Sequence, residues 1–343
     1  MPTLYVTEPN ATVRFSGGSL HVTAAHENGN KESAPRLLLK VEPHRLESMA
    51  LVGRVHVTVD ALHGCLENGI GVVWFAWNGR LLGRMVPEMA RCGDLRLMQY
   101  RMMENPNMTL SLARSVIGAK CANAFSILRG IQSNQPGLED LGSALRELNI
   151  QRERIVACQD QESLLGHEGS AAGHYFAVLG HGFRGEIGFS KRVRRPPPDP
   201  ANALLSFGYV LLGSRLAGYL EARGLDPSLG FFHAPRSGRA SLSLDLLEEF
   251  RHAVVDRFVM RVCNLRMIQP RMFEPDPEQE GGVRLTREGL KAFFYAWGEY
   301  LERPMRDVEG ENLSPLALMR RQVNRLAMFL RGEAPYQPFL IKD

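Results

Sequence analysis

Cysteine is scarce in this chain and never paired in sequence. Five cysteines (Cys65, Cys92, Cys121, Cys158 and Cys263) are scattered over 343 residues without a C-x-x-C pair. That spacing excludes zinc fingers and a disulfide framework, and it fits a reducing compartment. Long hydrophobic runs are lacking: none approaches the ~20 residues that span a bilayer. Residues 1–30 hold no basic start followed by an apolar core, so no secretory leader is expected. A glycine-rich phosphate loop and an internal repeat are missing too, which sets aside P-loop nucleotide chemistry and solenoids. Charge of one sign is also modest. The formal net charge is +4, so the molecule as a whole is no polycation. The expectation is a soluble, cytoplasmic protein with no membrane partner.

What is present suffices for two domains and a substantial core. Hydrophobic residues make up 44% and charged residues 23%, as in ordinary globular proteins. The basic residues are overwhelmingly arginine, whose planar fork suits bidentate phosphate contacts; genome composition produces the same bias. Short runs separated by Asn, Pro and Gly open the chain: LYVTEP, TVRFSGG, SLHVTAA, PRLLLKVEP and SMALVGRVHV read as strands. VVWFAW, Asn78-Gly79 and RLLGRM read as a hairpin with a type I′ turn, and one helix is predicted over about 57–68. After residue 95 the period becomes helical, over 110–130, 138–149, 164–179, 202–222 and 242–263, then in REGLKAFFYAWGEYLER and SPLALMRRQVNRLAMFLRG. The predicted fold is α+β, a β-rich N-terminal domain (1–90), a linker (91–97) and a larger all-α-helical catalytic and DNA-binding domain (98–343).

The chemistry concentrates in that helical part. Asp245 and Glu248 stand three apart on helix 242–263, so they project from one face, one turn apart. Two acids so close raise each other's pKa unless a cation sits between them; an acidic first turn complementing the helix dipole is the plainer explanation. Glu168 shares a stripe with Ala172, Tyr175, Phe176 and Leu179. A buried carboxylate there needs a cation or hydrogen-bond donors, and an arginine partner would serve equally. His233 follows the turn-rich GLDPSLGFF and is expected on a loop. One imidazole and two or three carboxylates suit a hard divalent cation, Mg²⁺ or Mn²⁺, which points to phosphodiester chemistry. His252, one turn beyond Glu248, is a further ligand or an orienting group, whereas His167 and His174 are weaker. The loop SKRVRRPPPDP (190–200) presents Lys191, Arg192, Arg194 and Arg195 before a proline run. It is either a solvated charge run or a track for a DNA backbone. Arg114, Lys120 and Arg129 are lesser candidates of the same kind.

The wording around these residues carries more. E-G-x-A-A at 168–172, N-A-L-L-S-F-G-Y-x-L-L at 202–212, G-L-D-P-x-x-G-F-x-H at 224–233 and S-L-x-L-D-L-x-E-x-F-R at 241–251 closely resemble the CRISPR-associated integrase family. The resemblance runs from LYVTEPNATV to YQPFL, and the short N-terminal region and proline-rich loop resemble subtype I-C members. It implies a metal held by Glu168, His233 and Glu248, with Asp245 on the family's other active-site acid. His252 stands where many members have proline, so nothing is carried over to it. It also implies a metal-dependent DNA endonuclease and integrase that inserts short segments into a CRISPR array by 3′-hydroxyl attack on a repeat phosphodiester. The implied partners are double-stranded DNA (protospacer and repeat), a second copy joined through the β domain, and a small dimeric adaptation protein. Two alternatives stay open: a structure-selective nuclease that hydrolyses branched DNA, and a non-catalytic DNA-binding scaffold. Val73, Trp74 and Phe75 are the apolar residues expected to be exposed for dimerisation.

Overall fold

The computed structural model describes residues 3–24, 36–77, 79–87 and 92–342. It divides into two compact units: Met1–Met89 with Leu285–Gly298, and Ala90–Arg284 with Glu299–Asp343.

The first unit holds β1 (Thr3–Val6), β2 (Thr12–Ser16), β3 (Ser19–Thr23), β4 (Leu37–Val41), β5 (Ser48–Val52), β6 (His56–Val57), α1 (Val59–Glu67), β7 (Gly71–Phe75) and β8 (Leu81–Met85). They form two four-stranded sheets, β1-β5-β7-β8 and β4-β3-β2-β6. β5 lies between two parallel neighbours, and all five of its residues, SMALV, are buried. A continuous apolar run is what a strand covered on both faces requires. Leu4, Val13, Leu20, Met49, Leu51, Ile70 and Val72 make the core of this unit, joined by Ala61 and Cys65 of α1. Thr58 caps α1 by accepting from Ala61 N–H at 3.3 Å. Gly53 is required for two reasons: its φ is +75°, and a Cβ there would stand 2.1 Å from the Trp77 ring. The β7–β8 hairpin forms as predicted, but the turn type falls on Asn78, outside the described residues. Phe75 is buried and Trp74 packs against the core, contrary to their expected exposure. Exposed apolar residues of this unit include Leu37, Leu38 and Leu39 in a row on β4, besides Val59 and Leu82.

The second unit is helical: α2 (Gly93–Met103), α3 (Pro106–Asn134), α4 (Glu139–Ala157), α5 (Gln161–Val178), α6 (Pro200–Arg223), α7 (Ser241–Leu247) and α8 (Arg257–Asn264). Residues 93–97, expected as linker, already belong to α2. Asn105, Asp160 and Asp199 cap α3, α5 and α6, and Pro106 and Pro200 occupy first helical positions. α6 is long and apolar enough to cross a membrane, but 72% of its apolar window is buried inside the protein, so it is the central helix of this unit. The predicted helix 242–263 is broken. α7 ends at Leu247, a π-helical turn follows at Arg251–Asp256, and α8 completes it. α9 (Arg287–Glu302) was expected to pack in the helical domain, yet residues Leu285–Gly298 belong to the strand-rich unit. There Phe294 stacks on Tyr5 at 4.7 Å and Glu8 pairs with Arg287 and, at 2.7 Å, Lys291. α10 (Pro315–Leu330), capped by Ser314, closes the second unit.

Candidate active site

α5 turns Leu164, Ala171 and Tyr175 inward, and Glu168 shares that buried stripe. On α3, Lys120 occupies a stripe with Ile117 and Ala124 and is itself buried. An ammonium in such surroundings must find negative charge. Lys120 Nζ lies between two carboxylates: it bonds Glu168 Oε1 and stands 2.7 Å from Glu248 Oε2. Glu248 caps the end of α7, and Arg251, at the start of the π turn, brings Nε within 3.0 Å of the same oxygen. Burial pushes the Glu248 carboxyl up, but Arg251 and Lys120 outweigh it and hold it down at about 2. Arg251 in turn lies over the Tyr209 ring at 4.7 Å.

Asp245 faces elsewhere. Its Oδ2 accepts from Phe231 N–H (2.6 Å) and Phe232 N–H (3.0 Å), and its Oδ1 from His233 N–H (2.9 Å). His233 Nδ1 lies 2.6 Å from the same Oδ1. Asp245 therefore shapes the loop and orients the imidazole, leaving Nε2 unengaged by this carboxylate. Only glycine fits at 230, where a Cβ would sit 2.5 Å from Asp245 Oδ2. Asp245 and Glu248, expected to project from one face of a single helix, thus serve separate partners.

Glu249 points away from Glu248. Burial pushes its carboxyl up to about 7, against donors on Phe339, Tyr336 and Gln322. Asn123 on α3 fastens the same strip, donating to Glu249 C=O (2.9 Å) and Phe339 C=O (3.0 Å). The YQPFL segment is thereby the clasp that fixes the backbone beside Glu248. His252 Nδ1 engages Asp256 Oδ2 at 2.7 Å, and Asp256 also accepts from the Tyr175 hydroxyl at 2.9 Å and from the Tyr209 hydroxyl. Its ring lies 4.1 Å from that of Tyr175, and it lines a small cavity with Lys120 and Glu168. His167 instead contacts Gln151 Oε1 at 2.8 Å.

The structure therefore brings Glu168 and Glu248 together on Lys120, and His233 together with Asp245. Among the described residues no three His, Cys, Asp or Glu side chains converge as a ready metal cage. Sequence reasoning missed Arg251, and Lys120, weighed only as a lesser DNA-backbone candidate, is buried beside two carboxylates. The available signal was a lone lysine on an otherwise apolar stripe. Arg114 donates to Cys158 C=O at 3.0 Å, a structural use. Of the basic loop, Lys191, Arg194 and Arg195 are exposed, but Arg192 is not available to a ligand. Its guanidinium donates to Asn202 Oδ1 (2.8 Å), Ser206 Oγ (2.9 Å) and Val193 C=O (2.7 Å), an inward anchor.

Residues 4–299 match the family described as CRISPR associated protein Cas1. The chain is 32% identical over 341 residues to CRISPR-associated endonuclease Cas1 3 of Thermus thermophilus, covering 99% of this chain and 97% of that protein. It is 34% identical to CRISPR-associated endonuclease Cas1 2 of Rhodospirillum rubrum, covering 98% and 97%. Its fold superposes on a Cas1 protein from Thermotoga maritima with a TM-score of 0.80 at 23% identity, covering 98% and 99% of the two chains.

Proposed function

The chain belongs to the Cas1 family, and from that premise we propose that it is a divalent-metal-dependent DNA endonuclease and integrase. The 3′-hydroxyl of a short incoming DNA attacks a repeat phosphodiester of a CRISPR array, and no protein side chain becomes covalently attached. The observation that carries the metal reading is Glu248 Oε2. It is buried beside Lys120 and Arg251 and makes no well-directed hydrogen bond with either. Such an oxygen suits a directional cation. Glu168, Glu248 and His233 Nε2 are the donor types that would fit Mg²⁺ or Mn²⁺ once drawn together.

When bound, the ion polarises the scissile phosphate and lowers the pKa of the attacking hydroxyl. This chain's residues do the rest. Asp245 holds His233 through Nδ1, which aims Nε2 outward. Arg251 keeps Glu248 ionised. The Lys120 ammonium leaves the carboxylate pair on its flexible stem and meets the phosphate charge instead. Lys191, Arg194 and Arg195 contact the DNA backbone. The chain acts as a homodimer with a small dimeric partner protein.

A strand-transfer assay on repeat DNA with Mn²⁺ tests this. His233→Ala and Glu248→Gln each abolish cleavage and transfer while circular dichroism stays native, and Glu248→Asp keeps partial activity. Near-normal transfer by His233→Ala at saturating Mn²⁺ removes that ligand. Shortened products without joined ones indicate the hydrolytic nuclease.

A further inference from the structure

A second place in the helical unit gathers positive charge, with no acidic side chain among the described residues lining it. An open groove of about 440 Å³ runs between the C-terminal half of α3, the turn after α5, α8 and the chain's last described residues. Ile127, Ile131 and Met260 contribute apolar side chains, and Arg184, Arg257, Arg261 and Lys342 supply the charge. Among the described residues none of these four side chains makes a hydrogen bond or ion pair, and all four are exposed.

The cations stand on pinned backbone. Asn264 accepts from Arg184 N–H at 2.7 Å and donates to Gly182 C=O at 2.8 Å, fastening that turn to the end of α8. The approach is close: a Cβ on Gly182 would lie 2.3 Å from Met260 Sδ. Arg257 and Arg261 are four apart on α8, one turn of the same face, where like charges repel unless an anion lies between them. Lys342 is placed by its N–H to Arg306 C=O (3.0 Å) and by the Asp307–Ile341 bridge.

We infer that this groove binds the phosphodiester backbone of DNA and leads it toward the glutamate pair. Four separated charges around one trough match a line of phosphates better than a single anion, and guanidiniums grip phosphate oxygens in pairs. The apolar side chains suit sugars, which carry no sequence information. The groove shares α3 with the site. Ile127 lies seven residues beyond Lys120 on α3, a rise of about 10 Å, or about three base steps of duplex at ~3.4 Å each. This inference rests on the DNA-directed reading above, but its test is separable from it.

The test measures binding of a fluorescein-labelled random-sequence duplex by the full-length protein in EDTA, across a salt series. The variant combines Arg184→Gln, Arg257→Gln, Arg261→Gln and Lys342→Gln. It should flatten the slope of log K against log salt by ~0.9 per lost phosphate contact. The matching Arg→Lys set keeps most of the slope. Mn²⁺ affinity stays unchanged, since none of these residues touches Glu168, His233 or Glu248. A slope equal to wild type in a variant with native circular dichroism and native Mn²⁺ binding overturns the groove. If Glu248→Gln retains strand transfer while the groove variant loses slope, the catalytic reading fails and the groove stands.

Discussion

Lys120 is one ammonium shared by two carboxylates, so its loss is felt twice. Lys120→Met leaves Glu168 and Glu248 facing each other with Arg251 on one side only. Breaking a buried ionic pair by removing one partner costs roughly 3–5 kcal/mol, and this is expected in EDTA by urea unfolding. Mn²⁺ should restore more stability to the variant than it adds to wild type, because the cation then enters a site with no ammonium to displace. Equal metal stabilisation of the two proteins would count against Lys120 as occupant of the shared position. Arg192 gives the opposite lesson about charge runs. Arg192→Ala removes three inward hydrogen bonds and is expected to lower stability by roughly 1–3 kcal/mol. The combined neutralisation of Lys191, Arg194 and Arg195 should leave the melting temperature in place while weakening duplex binding. If Arg192→Ala melts like wild type and binds DNA less, its place is with its neighbours in the loop.

At the scale of elements, the π turn at Arg251–Asp256 breaks the helix that carries the site. Gly208 of α6 meets that turn so closely that a Cβ would lie 2.6 Å from Val255. π turns recur at functional sites, and here the turn sets Arg251 beside Glu248 and His252 on Asp256. Another element-scale anchor is Asp307, which Arg321 pairs at 2.7 Å and Glu311 N–H bonds at 2.9 Å. Burial raises this carboxyl, but Arg321 and the backbone donors win and hold it below the ordinary aspartate value of 3.8. A depressed folded pKa means stability present above about pH 4 and lost as the pH falls through the folded value. Asp307→Asn should therefore be less stable than wild type at pH 7, with the gap narrowing toward pH 2.5 in urea titrations. An equal gap at both pH values would assign the loss to packing. The short strands, the β7–β8 hairpin and the stripe holding Glu168 were legible because they are local patterns. The π turn has no local signature in LEEFRHAVVD. The stripe of α9 says that the helix packs, but not that it packs on Tyr5, nearly three hundred residues earlier.

The largest scale concerns a second copy of the chain. β4 is the edge of its sheet, bonded on one side by β3, and it carries Leu37 (54% exposed), Leu38 (38%) and Leu39 (42%) in a row. An edge strand with three exposed leucines is a pairing hazard that folded proteins cover or charge. The proposed homodimer, if joined through the strand-rich unit, would supply that cover and would provide two sites for opposite strands of one repeat. Cutting the chain near residue 95 is a poor test, because residues 285–298, which include most of α9, pack in the strand-rich unit and would lose Tyr5 and Glu8. The sound test keeps the full chain. The strand is bulged at Leu38, so Leu39 lies opposite Val22 and Leu37 opposite Thr23, on the two faces of the strand, and replacing both with lysine charges both faces of the edge where a partner would seat. Wild type is expected to sediment at twice the 38.3 kDa chain mass, and the Leu37→Lys/Leu39→Lys variant at once that mass. The variant should retain Mn²⁺ binding, because the glutamate pair lies wholly within the helical unit. A variant that stays dimeric with native circular dichroism would place the interface away from β4.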